Sequence, residues 1–163
     1  MMEVYVLVER RKPFIISAFG IISFIVGGIS ALASLIGLFV FLPAAVLGLV
    51  FGYFCYSRNV EFEYSFFDDD VRFAKIINKS RRKKLPGYKM AEVVAIAPTG
   101  DHSVYQYEND KSAKIRRLHS GNADAKVYVM VARAGSQVEL VYFEPDDKYL
   151  DAVCMKNGHK VRR

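Results

Sequence analysis

The chain has 163 residues, a formal net charge of +6 and 52% hydrophobic residues. That length leaves room for one small domain and short additions to it. Its two cysteines, Cys55 and Cys154, make neither a metal-ligand spacing nor a cystine framework, so both are read as free thiols.

The first segment, Met1–Glu9, alternates Val4, Val6 and Val8 with Glu3, Tyr5 and Leu7, the period of a half-buried strand. It is expected to add a strand to a sheet formed further along. Glu9-Arg10-Arg11-Lys12 follows, and then charge stops. From Pro13 to Ser57, between Lys12 and Arg58, 45 residues carry no charged side chain. A membrane-spanning helix needs about 20 such residues, so the run fits two. A secretory signal has an apolar core of only about 7–15 residues, so a cleaved signal peptide is not expected. Ser34 and Gly37 mark a turn, giving helices at about 13–33 and 37–57. Pro43 has two possible places: the first turn of the second helix, where its missing N–H costs nothing, or a kink within that helix.

Lys and Arg flank both ends of the run and are absent from its middle, which places both termini in the cytoplasm of a multi-pass cell-membrane protein. Tyr53 and Tyr56 suit the inner interface. Close helix packing in lipid needs small residues on the facing stripes. Ser23, Gly27 and Ala31 on the first helix, and Ala44, Gly48 and Gly52 on the second, supply them at intervals of four. A second use for one of these stripes is recruitment of a membrane-protein partner. No ionisable residue lies inside either helix, so an ion or proton path has no carrier.

The first 57 residues hold three of the 23 cations and two of the 17 acids, which leaves 20 and 15 for residues 58–163, a net of +5. That part reads as soluble protein. Val60, Phe62, Tyr64 and Phe66 alternate with Glu61, Glu63 and Ser65, a strand. Asp68–Asp70 turns, Val71–Ile77 returns, and Asn78-Lys79-Ser80 turns again into Arg81–Lys84. Further strands are expected at Val93–Ala97, Lys114–Leu118, Lys126–Ala132 and Gln137–Phe143, the last two as a hairpin about Ala134-Gly135. Gly100–Ala113 reads as a long loop. A final helix is punctuated by Glu144 as N-cap, Pro145 at its first position, Asp146 and Asp147 in its first turn, and Gly158 as its stop. Leu150, Val153 and Tyr149 make its buried face. The domains are thus an N-terminal strand-like segment (1–12), a transmembrane helical hairpin (13–57) and a cytoplasmic domain (58–163).

Seven or so strands and then a capped helix is the element order of a pleckstrin-homology-like barrel. The chain also resembles, along its whole length, a family of small membrane proteins of clostridial-type bacteria. The segments that carry this are Leu7–Lys12, Val60–Tyr64, Ile77–Lys83, Tyr88–Met90, Ala97–His102, Val127–Val131 and Phe143–Pro145. The resemblance implies two transmembrane helices with a cytoplasmic pleckstrin-like domain. The family carries no assigned activity, so it implies no catalytic residue. The fold class is therefore an α+β membrane protein: a two-helix hairpin, then an antiparallel pleckstrin-like β-barrel or sandwich with a C-terminal helix.

Lys79, Arg81, Arg82, Lys83, Lys84 and Lys89 are the densest charge in the chain. A strand leaving the membrane at Val60 travels roughly 23 Å at about 3.3 Å per residue before the Asp68–Asp70 turn. The returning strand brings Lys79–Lys84 back toward the bilayer. Three readings stand for this cluster: contact with anionic lipid headgroups, a solvated edge strand blunted against pairing, or a protein ligand site. Nucleic acid is not expected, because no aromatic-interleaved basic stretch is present. His102, His119 and His159 have no second ligand at helical or turn spacing, and no Gly-rich phosphate loop opens a helix, so no cofactor or metal is expected. Ser80, Ser103 and Cys154 have no base in sequence reach. The leading reading is a non-enzymatic membrane-anchored binding or scaffold module. The alternative is an accessory subunit of a larger membrane complex, recognised through the hairpin. The sequence leaves the oligomeric state open.

Overall fold

The computed structural model describes residues 3–135 and 137–163. The chain divides into two compact units, one of Arg11–Asn59 and one of Met1–Arg10 with Val60–Arg163.

The first unit is a helical hairpin of α1 (Phe14–Leu35) and α2 (Leu42–Ser57), with a 3-10 turn at Phe39–Phe41. Gly37 supplies the turn with φ of +94°, a region that costs glycine nothing. The 22 residues of α1 and the 19 from Phe39 to Ser57 are both long and apolar enough to cross a membrane. The second segment reaches its length through the 3-10 turn, and Pro43 falls in the first turn of α2 rather than at a kink. At about 1.5 Å per α residue and about 2.0 Å per 3-10 residue it spans roughly 30 Å, the thickness of a hydrocarbon core. Lys12 Nζ donates to the Tyr56 carbonyl and lies 5.1 Å from that ring's centroid, which ties the open ends together.

The helices touch through backbone. A Cβ built on Gly27 would lie 2.8 Å from Leu49 N, and one on Gly48 would lie 2.9 Å from both Gly27 Cα and Ser23 O. Gly52 packs under the Phe24 ring, and Gly20 meets Cys55. The stripes differ from strict intervals of four. Ala45 is buried where Ala44 was expected and Ala44 is exposed; Ser30 is buried while Ala31 is half-buried. Four residues turn a helix by about 40° more than a full circle, so a strict four-residue stripe rotates away from its partner. Alternating steps of three and four (Gly20, Gly27, Ser30, Ser34 against Ala45, Gly48, Gly52, Cys55) stay on the seam. Ser34 Oγ donates to Ser30 O at 2.9 Å, so this buried hydroxyl is satisfied within its own helix.

The second unit is an open sandwich. Its first sheet has the order β1 (Val4–Glu9), β2 (Val60–Phe67), β3 (Asp70–Ile77), β4 (Arg81–Lys84), with β5 (Tyr88–Lys89) also on β3. All its ladders are antiparallel, so the N-terminal strand joins the sheet as its alternation predicts; Met1 and Met2 lie outside the described residues. The turns at Asp68-Asp69 and Asn78-Lys79 hold both residues at positive φ, the hairpin geometry that Asp and Asn tolerate best. The second sheet has the order β6 (Val93–Pro98), β8 (Tyr128–Ala134), β9 (Gln137–Phe143), β7 (Lys114–Arg117). Its ladders are antiparallel except that β7 runs parallel to β9. No ladder joins the two sheets among the described residues, so the barrel is not closed.

The inner faces meet in an aromatic core. Tyr64, Phe73 and Phe143 pack edge to face at 5.6–5.8 Å, and Tyr149 extends the set toward Phe66 and Phe143. Such pairs add about 0.5–1.5 kcal/mol each beyond burial. Tyr149 comes from α4 (Asp147–Asn157), which lies against β1 and β2. The N-cap of α4 is Asp146, whose carboxylate accepts from Tyr149 N at 2.8 Å; Glu144, expected there, instead accepts from Ser120 N and Oγ. The shorter Asp side chain is the better cap, and Pro145 precedes the cap rather than following it. Gly158 ends α4 and begins a 3-10 turn, after which Val161 bridges Ile96 of β6. The expected loop at Gly100–Ala113 contains α3 (His102–Glu108), capped by Asp101 and covering the outer face of the second sheet through Val104.

Candidate functional site

The basic residues sit on the β4–β5 edge of the first sheet. The ladder sets Arg81 opposite Ile77, Arg82 opposite Ile76, Lys83 opposite Lys75 and Lys84 opposite Ala74. All four β4 residues are exposed, and Lys79 lies in the exposed turn that leads into them. A strand at a sheet edge has no outer neighbour to cover its side chains, which is why four consecutive cations are tolerated there. Arg82, opposite Ile76, reaches diagonally over β3 to pair with Glu63 of β2, while Arg81, Lys83 and Lys84 make no ion pair among the described residues.

Lys89 is separated from the others. Its ladder partner is Asp70, at the opposite end of β3 from Ile77. Between them the edge is broken: two residues separate Val71 from Ala74, but three separate Lys84 from Tyr88. The extra residue forms a bulge at Leu85-Pro86-Gly87. Gly87 is required there, because a Cβ would lie 2.9 Å from Val71 O.

An open groove of about 840 Å³ crosses the outer face of the same sheet. Its cations, Arg72, Arg82, Lys84 and Lys89, face Glu3, Glu63, Asp70 and Glu92. Arg72 pairs with Asp70 at 3.0 Å and Arg82 with Glu63, so the groove carries no field of one sign. The positive field belongs to the edge.

A cluster the sequence did not reveal joins the two sheets. Glu139 of β9 is 6% exposed. It accepts from Arg116 Nε at 2.8 Å, takes Lys114 Nζ at 3.3 Å, and receives the hydroxyl of Tyr88 from β5. The Arg116 hydrogen bond, against the cost of burial, holds the Glu139 carboxyl down at about 2. Burial and the same carboxylate push the Tyr88 phenol well above its ordinary value. The four residues come from three segments far apart in the chain: the parallel pairing of β7 with β9 brings Lys114 and Arg116 to Glu139, and the packing of the two sheets brings Tyr88.

One grouping resembles a nucleophile with its base. Ser120 Oγ donates to Glu144 at 2.8 Å, and His119 Nδ1 lies 4.0 Å from the same carboxylate. But His119 Nδ1 accepts from Gly121 N, and Ser120 Oγ accepts from Asn122 N, so these groups fasten a turn. Among the described residues, no three of His, Cys, Asp and Glu are grouped to hold a metal ion. Cys55 and Cys154 are free thiols. What the surface offers is a row of exposed cations along one sheet edge.

No curated protein and no solved structure matches the chain. One family model does, over residues 2–163: the bacterial PH-like domain (DUF6106), a domain of unknown function. The match takes in the apolar helices and the sandwich alike, and the chain belongs to this bacterial PH-like domain family.

Proposed function

We propose that the chain is a non-enzymatic integral membrane protein of the cell membrane, with both termini in the cytoplasm. Its PH-like domain is a binding or scaffold module whose basic edge rests on anionic lipid headgroups. One observation carries the reading. Arg10 N bonds Val60 O, Val60 pairs with Ile77, and Ile77 pairs with Arg81, so these four residues form a single cross-strand row. Arg10 and Val60 are the residues at which the chain passes to and from the hairpin. The basic edge therefore begins at the tethered end of the sheet.

The energetics favour contact. A basic residue near an anionic leaflet gains about 1 kcal/mol, and the effect fades within about 8 Å at physiological salt. Lys79, Arg81, Lys83 and Lys84 together supply about 3–4 kcal/mol on that scale, with Arg82 discounted for its pairing to Glu63. The tether makes this contact intramolecular, so it needs no further affinity to be populated.

The test reconstitutes the full chain into nanodiscs of anionic or of zwitterionic lipid and follows amide exchange over Arg81–Lys84. Exchange is expected to slow on the anionic discs. The slowing should vanish at molar salt and in a variant with Arg81, Arg82, Lys83 and Lys84 changed to Gln. Equal exchange on the two kinds of disc would discard the reading.

A further inference from the structure

The sandwich has one covered side and one open side. On the covered side α4 lies against β1, and the C-terminal tail bridges β6 through Val161 and Arg162. The open side is formed by the remaining edges, β4–β5 of the first sheet and β7 of the second. The Tyr88–Glu139 hydrogen bond, with Arg116 and Lys114 on the same carboxylate, holds those edges next to each other.

The β7 edge repeats the character of β4. Its residues are Lys114, Ile115, Arg116 and Arg117, with Lys111 just before them and no acid within the strand. Lys111, Lys114 and Arg117 are exposed. Glu139 offsets one of the two cations that bond it and leaves the strand net positive. Ile115 is a branched aliphatic chain 48% exposed in the middle of these cations. An exposed apolar chain on a strand whose other residues are Lys and Arg suits the boundary between headgroups and acyl chains. The position of Lys89 also gains a reason, since it adjoins Tyr88 at the point where the two edges meet.

Resting on the lipid-contact reading, we infer that β7 is a second headgroup-binding element. The whole open side of the sandwich, from Lys79 and β4 through Lys89 to Lys111–Arg117, lies on the anionic bilayer, with Ile115 dipping into its interface. The domain then meets the bilayer through both basic edges instead of through β4 alone.

Lysine footprinting on the unmodified full chain tests this. The protein is placed in anionic and in zwitterionic nanodiscs, labelled with an uncharged amine-acylating reagent, and each lysine's rate is read by mass spectrometry. Lys83, Lys84, Lys111 and Lys114 should all label about fivefold more slowly on the anionic discs, the factor that about 1 kcal/mol per basic residue corresponds to. Lys148, exposed on α4 at the covered side, should label equally on both. Slowing at Lys83 and Lys84 with none at Lys111 and Lys114 would overturn the second element and leave the lipid-contact reading standing. No slowing at any of the four would overturn both. Slowing of Lys148 to the same degree would also overturn the inference, because the effect would then not belong to one side.

Discussion

Replacing Glu139 by Gln removes one negative charge from between Lys114, Arg116 and Tyr88 and keeps the side chain's shape. The amide oxygen can still accept, but its NH₂ group must then face Lys114 or Arg116, donor against donor. The carboxyl's fall from 4.5 to about 2 measures how strongly the ionised form is preferred. At about 1.36 kcal/mol per unit that preference is about 3 kcal/mol. Lys114 is 49% exposed and Arg116 24% exposed, so water relieves part of the loss when the charge is removed. The expected cost at neutral pH is therefore about 2 kcal/mol. For a unit of this size that lowers the melting temperature by about 8 °C. Thermal unfolding in mild detergent, followed by near-ultraviolet circular dichroism of the core tyrosines, reads the shift. The pH dependence provides a second readout. A carboxyl whose folded value is depressed stabilises the fold fully above its unfolded value and loses that contribution as pH falls through its folded value. The gap between native protein and E139Q should hold from neutral pH down to about 4.5, narrow below it, and close near about 2. A variant melting within about 1 °C of the native protein at pH 7, or a gap that stays constant down to pH 2, would refute the assigned role.

Tyr149→Phe should leave stability unchanged or raise it by about 1 kcal/mol, because the Tyr149 hydroxyl is fully buried and makes no hydrogen bond among the described residues. A clear loss in the same melting assay would mean that the hydroxyl has a partner. Asp146→Ala should cost about 1 kcal/mol through the lost N-cap, while Ala at Glu144 should leave α4 intact and loosen the Ser120 turn. Helix-resolved amide exchange separates the two, and the reverse pattern would restore Glu144 as the cap. Gly48→Val places a branched side chain where even a Cβ would lie 2.9 Å from Gly27 Cα, so α1 and α2 must separate. Cysteine cross-linking between the helices should fall sharply in this variant and hardly at all in Gly28→Val, since nothing lies within 4 Å of a Cβ at Gly28.

Features governed by local chemistry were legible in the chain. The strand pair Val60–Phe67 and Asp70–Ile77 follows from alternation, and its turn at Asp68-Asp69 follows from acids that tolerate positive φ. The 45 uncharged residues state the hairpin outright. Short elements escaped. A seven-residue helix at His102–Glu108 spans barely two turns, too few for a period to register, and the two-residue strand Tyr88–Lys89 exists only through its pairing with β3. Three-dimensional facts escaped as well. Lys89 is close in sequence to Lys84, but a bulge and the length of β3 set it apart. Glu139 and Arg116 look like ordinary surface charges until β7 pairs with β9.

The account rests on two passes through the bilayer that return the chain to the side it left. Small epitope tags at the N- and C-termini, probed with a membrane-impermeant protease in intact cells and in inverted membrane vesicles, test this directly. Both tags should be protected in intact cells and cleaved in inverted vesicles. One tag cleaved in each preparation would place the termini on opposite faces and contradict the account.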